Sequence, residues 1–177
     1  MSAPLERHFT ATAYIVADGK TLLIWHRKIG MWLPAGGHCE PNEDPVQAAL
    51  REGEEESGLR LELVPSAPVP SFPGPHPAVL PAPAVILVED IHATGQPFHQ
   101  HIDHVYFTNV IGEIHLQHAM PGGEPFHWIS ASDLAAPFSL PAPDGTLVPV
   151  AEDVRLLGLQ AIATVEEKRH AQRPIHP

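Results

Sequence analysis

Four glutamates crowd the end of one predicted helix, in the run Arg51-Glu52-Gly53-Glu54-Glu55-Glu56-Ser57-Gly58. Carboxylates there face the negative end of the helix macrodipole, where lysine or arginine would be favoured. They also repel one another at helical spacing, by a few tenths of a kcal/mol per pair. Such a cost without a packing gain points to a use, and carboxylates gathered in this way suit a hard cation.

The helix carrying them has clear ends. Asp44-Pro45-Val46-Gln47 supplies an N-cap acid, a proline at the first helical position and a glutamine three residues after the cap. Gly58 suits the left-handed residue beyond the C-terminus, so the spacing predicts a helix over Pro45–Ser57. At roughly 100° per residue, Glu52, Glu55 and Glu56 share one arc, and Val46, Ala49, Leu50 and Gly53 share a second, buried one. Glu54 points away from the other acids and reads as a solvated surface residue. Gly53, in mid-helix, costs about 1 kcal/mol relative to alanine. It reads either as a close approach to a neighbouring strand or as a tolerated imperfection.

The flanking residues extend the pattern. Trp32-Leu33-Pro34-Ala35-Gly36-Gly37-His38-Cys39-Glu40 reads as a strand end followed by a loop, whose adjacent glycines permit unusual backbone angles. From Gly37 onward the chain reads glycine, five residues, Glu43, seven residues, Arg51-Glu52, two residues, Glu55-Glu56, one residue, Gly58, Leu59. This spacing resembles the signature of the Nudix (MutT-like) hydrolase family, GX5EX7REUXEEXGU with U a bulky apolar residue. The one departure is Gly53 at the first U. Seven fixed residues at about 5–7% usage each give odds on the order of one in 10⁸ per frame, which makes chance negligible in a chain this short.

The resemblance implies a hydrolase that cleaves a pyrophosphate bond in a nucleoside diphosphate linked to another moiety, using Mg²⁺ or, as a substitute, Mn²⁺. It assigns metal binding to Glu52, Glu55 and Glu56, with the Gly36 carbonyl as a further ligand. It assigns Arg51 and Glu43 to orienting those glutamates through salt bridges. Relatives place the general base either among the signature glutamates, which leaves Glu56 or Glu52 here, or on a distant loop, where Glu124 is a candidate alongside the reading of an ordinary surface residue. It also implies an α/β fold of the Nudix type, an α/β/α sandwich around a mixed sheet, and a homodimer by analogy with many relatives. A Nudix domain that binds nucleotide without turnover is the alternative, disfavoured by the intact signature.

Other elements follow from local pattern. His8 to Ala17 and Thr21 to Arg27 read as strands joined by an Asp18-Gly19-Lys20 turn. Strands are also expected at Arg60 to Val64, Ala84 to Glu89 and Ile102 to Val110. A late strand at Phe126 to Ile129 leads into a short helix capped by Ser130 or Ser132. A final helix is expected from about Ala151 to Arg169, with a frayed tail over Lys168 to Pro177. Eight of the 21 prolines fall between Pro65 and Pro83, too many for a helix or central strand, so this stretch is a polyproline-like loop.

The substrate-facing candidates are more dispersed. His26-Arg27-Lys28 ends a strand; Arg27 and Lys28 could meet phosphate or pair with acids such as Glu43. Trp25 and Trp32 read as packing residues before base-stacking ones. His99-Gln100-His101-Ile102-Asp103-His104-Val105-Tyr106 leads into a strand, and alternation puts His99, His101 and Asp103 on one face. Two histidines and an aspartate could hold a transition metal, which gives a histidine-rich metal-binding protein as a third reading. His104 and Tyr106, on the other face, are candidate substrate contacts. His92, His115, His118 and His127 show no ligand spacing.

Composition bounds the rest. At 177 residues and 44% hydrophobic, the chain can form a single domain spanning 1–177 around one core. A net charge of −11 disfavours long nucleic acid, which needs a basic footprint, and leaves room for a small phosphorylated nucleotide whose charge a cation balances. There is no membrane-spanning apolar run. One cysteine, Cys39, suits a reducing, cytoplasmic setting.

Overall fold

The computed structural model describes residues 5–74, 77–92, 97–112 and 121–172; His115 and His118 lie outside them. Strands β1 (Glu6–Ala17) and β2 (Lys20–His26) form an antiparallel hairpin, Ala17 opposite Lys20. Its two-residue turn is Asp18-Gly19, both at positive φ (47° and 70°), the conformation a tight right-twisted hairpin requires. Two short strands follow, β3 (Met31–Leu33) against β2 and β4 (Ala35–His38) against β1. The glycine stretch expected to be a loop is therefore paired backbone. Helix α1 (Pro45–Ser57) has the expected bounds. Asp44 accepts from the Val46 and Gln47 N–H groups, Gln47 reciprocates on the Asp44 N–H, and Gly58 closes the far end at φ 69°.

The remaining strands complete a mixed sheet. β5 (Leu61–Leu63) and β6 (Val85–Ile91) flank different stretches of β7 (His99–Val110), and β7 runs parallel to β1 over Glu6–Val16. β8 (Phe126–Ser130) pairs with β2 and enters α2 (Ala131–Leu134), capped by Ser130. The described residues between β5 and β6 carry no helix or strand, as the prolines require. A small hairpin, β9 (Ser139–Pro141) with β10 (Leu147–Pro149), precedes α3 (Glu152–Gln172). The helix thus continues through Lys168–Gln172, where fraying was expected.

The two faces of the sheet bury different layers. One face packs Tyr14, Val16, Leu23, Trp32, Val105 and Phe107 against Leu134, Val154, Ile162 and Val165 of α2 and α3. The other packs Ala11, Ala13, Ile15, Leu22 and Tyr106 against Ala48 and Ala49 of α1. The small residues on β1 let α1 lie close to the sheet, and Gly53 sits where that approach is tightest. A Cβ there would come to 2.6 Å from Leu61 Cδ1 and 3.2 Å from Ala13 Cβ. Of the two readings of Gly53, close approach is the one the structure supports. Gly53→Ala should therefore destabilise the fold despite better helix propensity, because overpacking costs about 1–3 kcal/mol against a propensity gain of about 1 kcal/mol. Urea denaturation checks it. Adding Leu61→Val should recover the loss; a single variant more stable than the parent would show the contact to be slack.

Candidate active site

The capped helix α1 and the paired strand β4 hold the acidic residues in one place. Arg51 is the hub. Its Nε and Nη2 donate to the two Glu43 oxygens at 2.8 and 2.9 Å, and its Nη1 donates to Glu52 at 2.8 Å and Glu55 at 3.4 Å. Nη2 also donates to the His38 carbonyl at 3.1 Å, so helix and β4 are tied through one guanidinium. A bidentate pair of this kind fixes orientation as well as charge. The Arg51 hydrogen bonds hold the Glu43 carboxyl below the usual carboxylate range, and Glu43 Oε2 also accepts from the Glu40 N–H at 3.1 Å.

Glu52 and Glu56 lie against the two glycines of β4. A Cβ on Gly37 would collide with the Glu52 carboxylate, and the Gly36 N–H donates to Glu56 Oε2 at 3.3 Å. Glycine is needed at 37 because the carboxylate occupies the space a side chain would take. At 36, a Cβ would meet Ala11 O and Thr12 Oγ1 at 2.8 Å each. Burial pushes the Glu56 carboxyl up to about 7, the charges of Glu52 and Glu55 add to the rise, and the Gly36 N–H opposes it. Glu55 is the rim member, its side chain 63% exposed. Glu54 faces away, as the wheel requires, yet it is not idle: its Oε1 accepts the Leu61 N–H at 2.9 Å and ties α1 to β5.

This donor set fits a hard divalent cation. Every side chain offered is a carboxylate, two of them face a glycine backbone cradle, and the like charges already raise the energy of the ionised state. No soft ligand lies among these acids.

A model of the NUDIX domain family matches residues 6–151. The chain belongs to the Nudix family. Members of this family are pyrophosphohydrolases that generally use divalent metal ions and act on small nucleotide-containing substrates. The Nudix domain is similar in fold to a NUDIX-family hydrolase from Clostridium perfringens, with a TM-score of 0.65 and 26% identity, covering 91% of this chain and 99% of that one. It also resembles a NUDIX hydrolase from Nitrosomonas europaea, at TM-score 0.53 and 18% identity over 92% of this chain and 90% of the other. A curated relative, m7GpppN-mRNA hydrolase NUDT17 of Xenopus laevis, is 53% identical over 34 residues, which is 19% of this chain and 12% of that protein.

The outlying candidates of the Nudix domain are dispersed. Glu124 accepts from Arg27 Nε at 2.7 Å, just beyond the end of β2. Arg27 thus pairs with Glu124, and Glu43 with Arg51. Lys28 is exposed at the end of β2. Trp32 is 1% exposed, a core residue. Tyr106 is 3% exposed among the core residues beneath α1, and burial raises its phenol to about 12. The ring is packed away from the surface, so direct substrate contact is closed to it in this conformation. His104 is half-buried, bonded through Nδ1 to the Thr10 carbonyl at 3.2 Å, and lines an open cleft.

That cleft, about 670 Å³, is lined by Phe9, His38, Cys39, Pro41, Glu43 and His104 among others. Phe9 was not anticipated from sequence. It lies on the exposed stretch of β1, 63% accessible, with its ring centroid 5.7 Å from that of His104. An aromatic residue at an exposed position of an alternating strand is the signal that points to it.

Proposed function

We propose that this chain is a Mg²⁺-dependent hydrolase, with Mn²⁺ as a substitute, that cleaves the pyrophosphate bond of a nucleoside diphosphate linked to another moiety. The observation that carries the reading is the acidic cluster itself, Glu52 and Glu56 set against the Gly36-Gly37 backbone and aligned by the Arg51–Glu43 pair. Glu52, Glu55 and Glu56, with the Gly36 carbonyl, would hold the cation. When bound, the cation supplies Lewis acidity and charge balance at the diphosphate.

The protein's own groups do the rest. Glu52 is held in orientation by Arg51 Nη1. Glu56 has one oxygen on the Gly36 N–H and its other oxygen is without a hydrogen bond among the described residues. That oxygen takes the proton as water attacks phosphorus and the bridging P–O bond breaks. The cleft beside Glu43 receives the nucleoside, its base stacking on Phe9 with His104 beneath. Arg27 and Lys28 supply phosphate contacts. The Arg27–Glu124 pair is exposed enough, at 67% and 31%, for a phosphate to displace it at little cost.

The test is a panel of nucleotides, nucleotide sugars and dinucleotides incubated with Mg²⁺, with Mn²⁺ and with neither. Turnover of at least one diphosphate-linked compound, abolished by chelation, is the expected result. Turnover of none, or turnover indifferent to chelator, would overturn the proposal.

A further inference from the structure

The histidine reading of β7 captures part of a cluster that three strands build. Residues His8 of β1, His38 of β4 and His101 of β7 place one ligand nitrogen each within 4.8 Å of one another. His8 and His101 are register neighbours across the parallel pair, and His38 sits opposite Thr10, one step along the same face. Asp103, expected to join His99 and His101, does not: it is 3% exposed and accepts from Thr10 Oγ1 at 2.9 Å. The threonine satisfies the carboxylate inside the sheet, and the incoming ligands come from the neighbouring strands.

Two features of this cluster point to a ligand. His101 Nε2 is buried without a hydrogen-bond partner, an unusual condition for an imidazole nitrogen among other polar groups. His8 Nδ1 and His38 Nε2 share a hydrogen bond at 3.2 Å, whose proton a shared ion would displace. Two nitrogens at 2.0–2.1 Å from a tetrahedral ion lie about 3.3 Å apart, so this pair is already at ligand spacing. The other nitrogen of His8, Nε2, is 3.0 Å from Glu6 Oε1. A carboxylate behind a ligating histidine fixes its tautomer and turns the second nitrogen toward the ion. His99 closes one side of the cluster, its ring 4.9 Å from His8 and 5.2 Å from His101, with Nδ1 held 3.0 Å from the Pro97 carbonyl.

We propose that His8, His38 and His101 form a second metal site, for a transition ion such as Zn²⁺, on the sheet face opposite the signature glutamates. Imidazole nitrogens suit zinc and its neighbours and do not suit Mg²⁺, so the two sites sort ions by donor chemistry. Alternation along β4 sends Gly37 toward Glu52 and His38 to the other face. An ion there clips β1, β4 and β7 together and braces the strand on which Glu52 and Glu56 rest. Three protein ligands leave a fourth position of a tetrahedral ion open.

The experiment is titration of the full chain, without an affinity tag, in saturating Mg²⁺. Co²⁺ serves as the visible-absorption probe, and Zn²⁺ is followed by calorimetry. One Co²⁺ per chain with tetrahedral absorption, displaced by Zn²⁺, is expected. His38→Ala, at an exposed position, and His101→Ala should each weaken Zn²⁺ binding at least about tenfold, and Glu56→Gln should leave it unchanged. Zn²⁺ affinity unaltered in His38→Ala would overturn the site even if His101→Ala failed to fold. Loss of binding in Glu56→Gln would overturn it equally, since the ion would then belong to the carboxylates. Neither result depends on whether the chain hydrolyses any nucleotide.

Discussion

Glu56→Gln is expected to lower kcat by roughly 10²–10⁴-fold, the range for loss of a positioned base, without unfolding the protein. The amide is isosteric and its oxygen can still accept from the Gly36 N–H. It cannot carry charge to a cation or receive the proton. The same change removes a buried carboxyl whose ionisation is opposed by burial and by the charges of Glu52 and Glu55. The metal-free variant should thus be at least as stable as the parent at neutral pH, and a decline in activity could not be ascribed to misfolding. Initial rates in Mg²⁺, paired with urea denaturation in chelator, would show both. A kcat within a few-fold of the parent would remove Glu56 from the mechanism.

The pH dependence has a definite sign. A carboxyl at about 7 in the fold and near its ordinary 4.5 in the unfolded chain keeps a proton on folding between those values. The folded state then binds more protons, so this group's contribution to metal-free stability is fully present below about 4.5 and is lost as pH rises toward 7. Glu89, also raised to about 7 chiefly by burial, adds to the same slope from β6. Glu56→Gln should flatten that slope in part and leave the Glu89 share. Mg²⁺ should stabilise the parent more at pH 8 than at pH 5, because proton and cation compete for one carboxylate.

Local signals carried much of this structure. Asp44, Pro45 and Gln47 at one end and Gly58 at the other set α1 to the residue, and Asp18-Gly19 set the first hairpin. What escaped was whatever depends on register between distant strands. Gly36 and Gly37 have no apolar alternation to mark a strand; β4 exists because β1 offers its free edge from Thr10 to Ala13. The same pairing carries His38 to His8 and His101, a meeting that periodicity along β7 alone could not show. Alternation puts Tyr106 and His104 on one face of β7, yet only His104 lines the cleft. Which of them is covered depends on where α1 crosses β7, a tertiary fact.

Arg51→Met should have the second large effect, and here stability and activity fall together. Each of the five guanidinium N–H groups has a use in the native site, on Glu43 twice, on Glu52, on Glu55 and on the His38 carbonyl. Without it, four neighbouring carboxylates repel with no cation among them, and the tie from α1 to β4 is gone. Loss of these charge-assisted bonds should cost about 1–3 kcal/mol in the metal-free protein, and more at low salt than at high. Added Mg²⁺ should restore part of that stability by supplying positive charge. It should not restore turnover, because Glu43 and Glu52 lose the fork that orients them, and kcat/KM should stay down by about 100-fold or more. Arg51→Lys separates the two contributions. It returns a point charge without the planar bidentate geometry, so it should recover most of the stability and little of the rate. Full recovery of kcat/KM in the lysine variant, measured beside its urea midpoint, would show that charge alone suffices and that orientation by Arg51 is not needed.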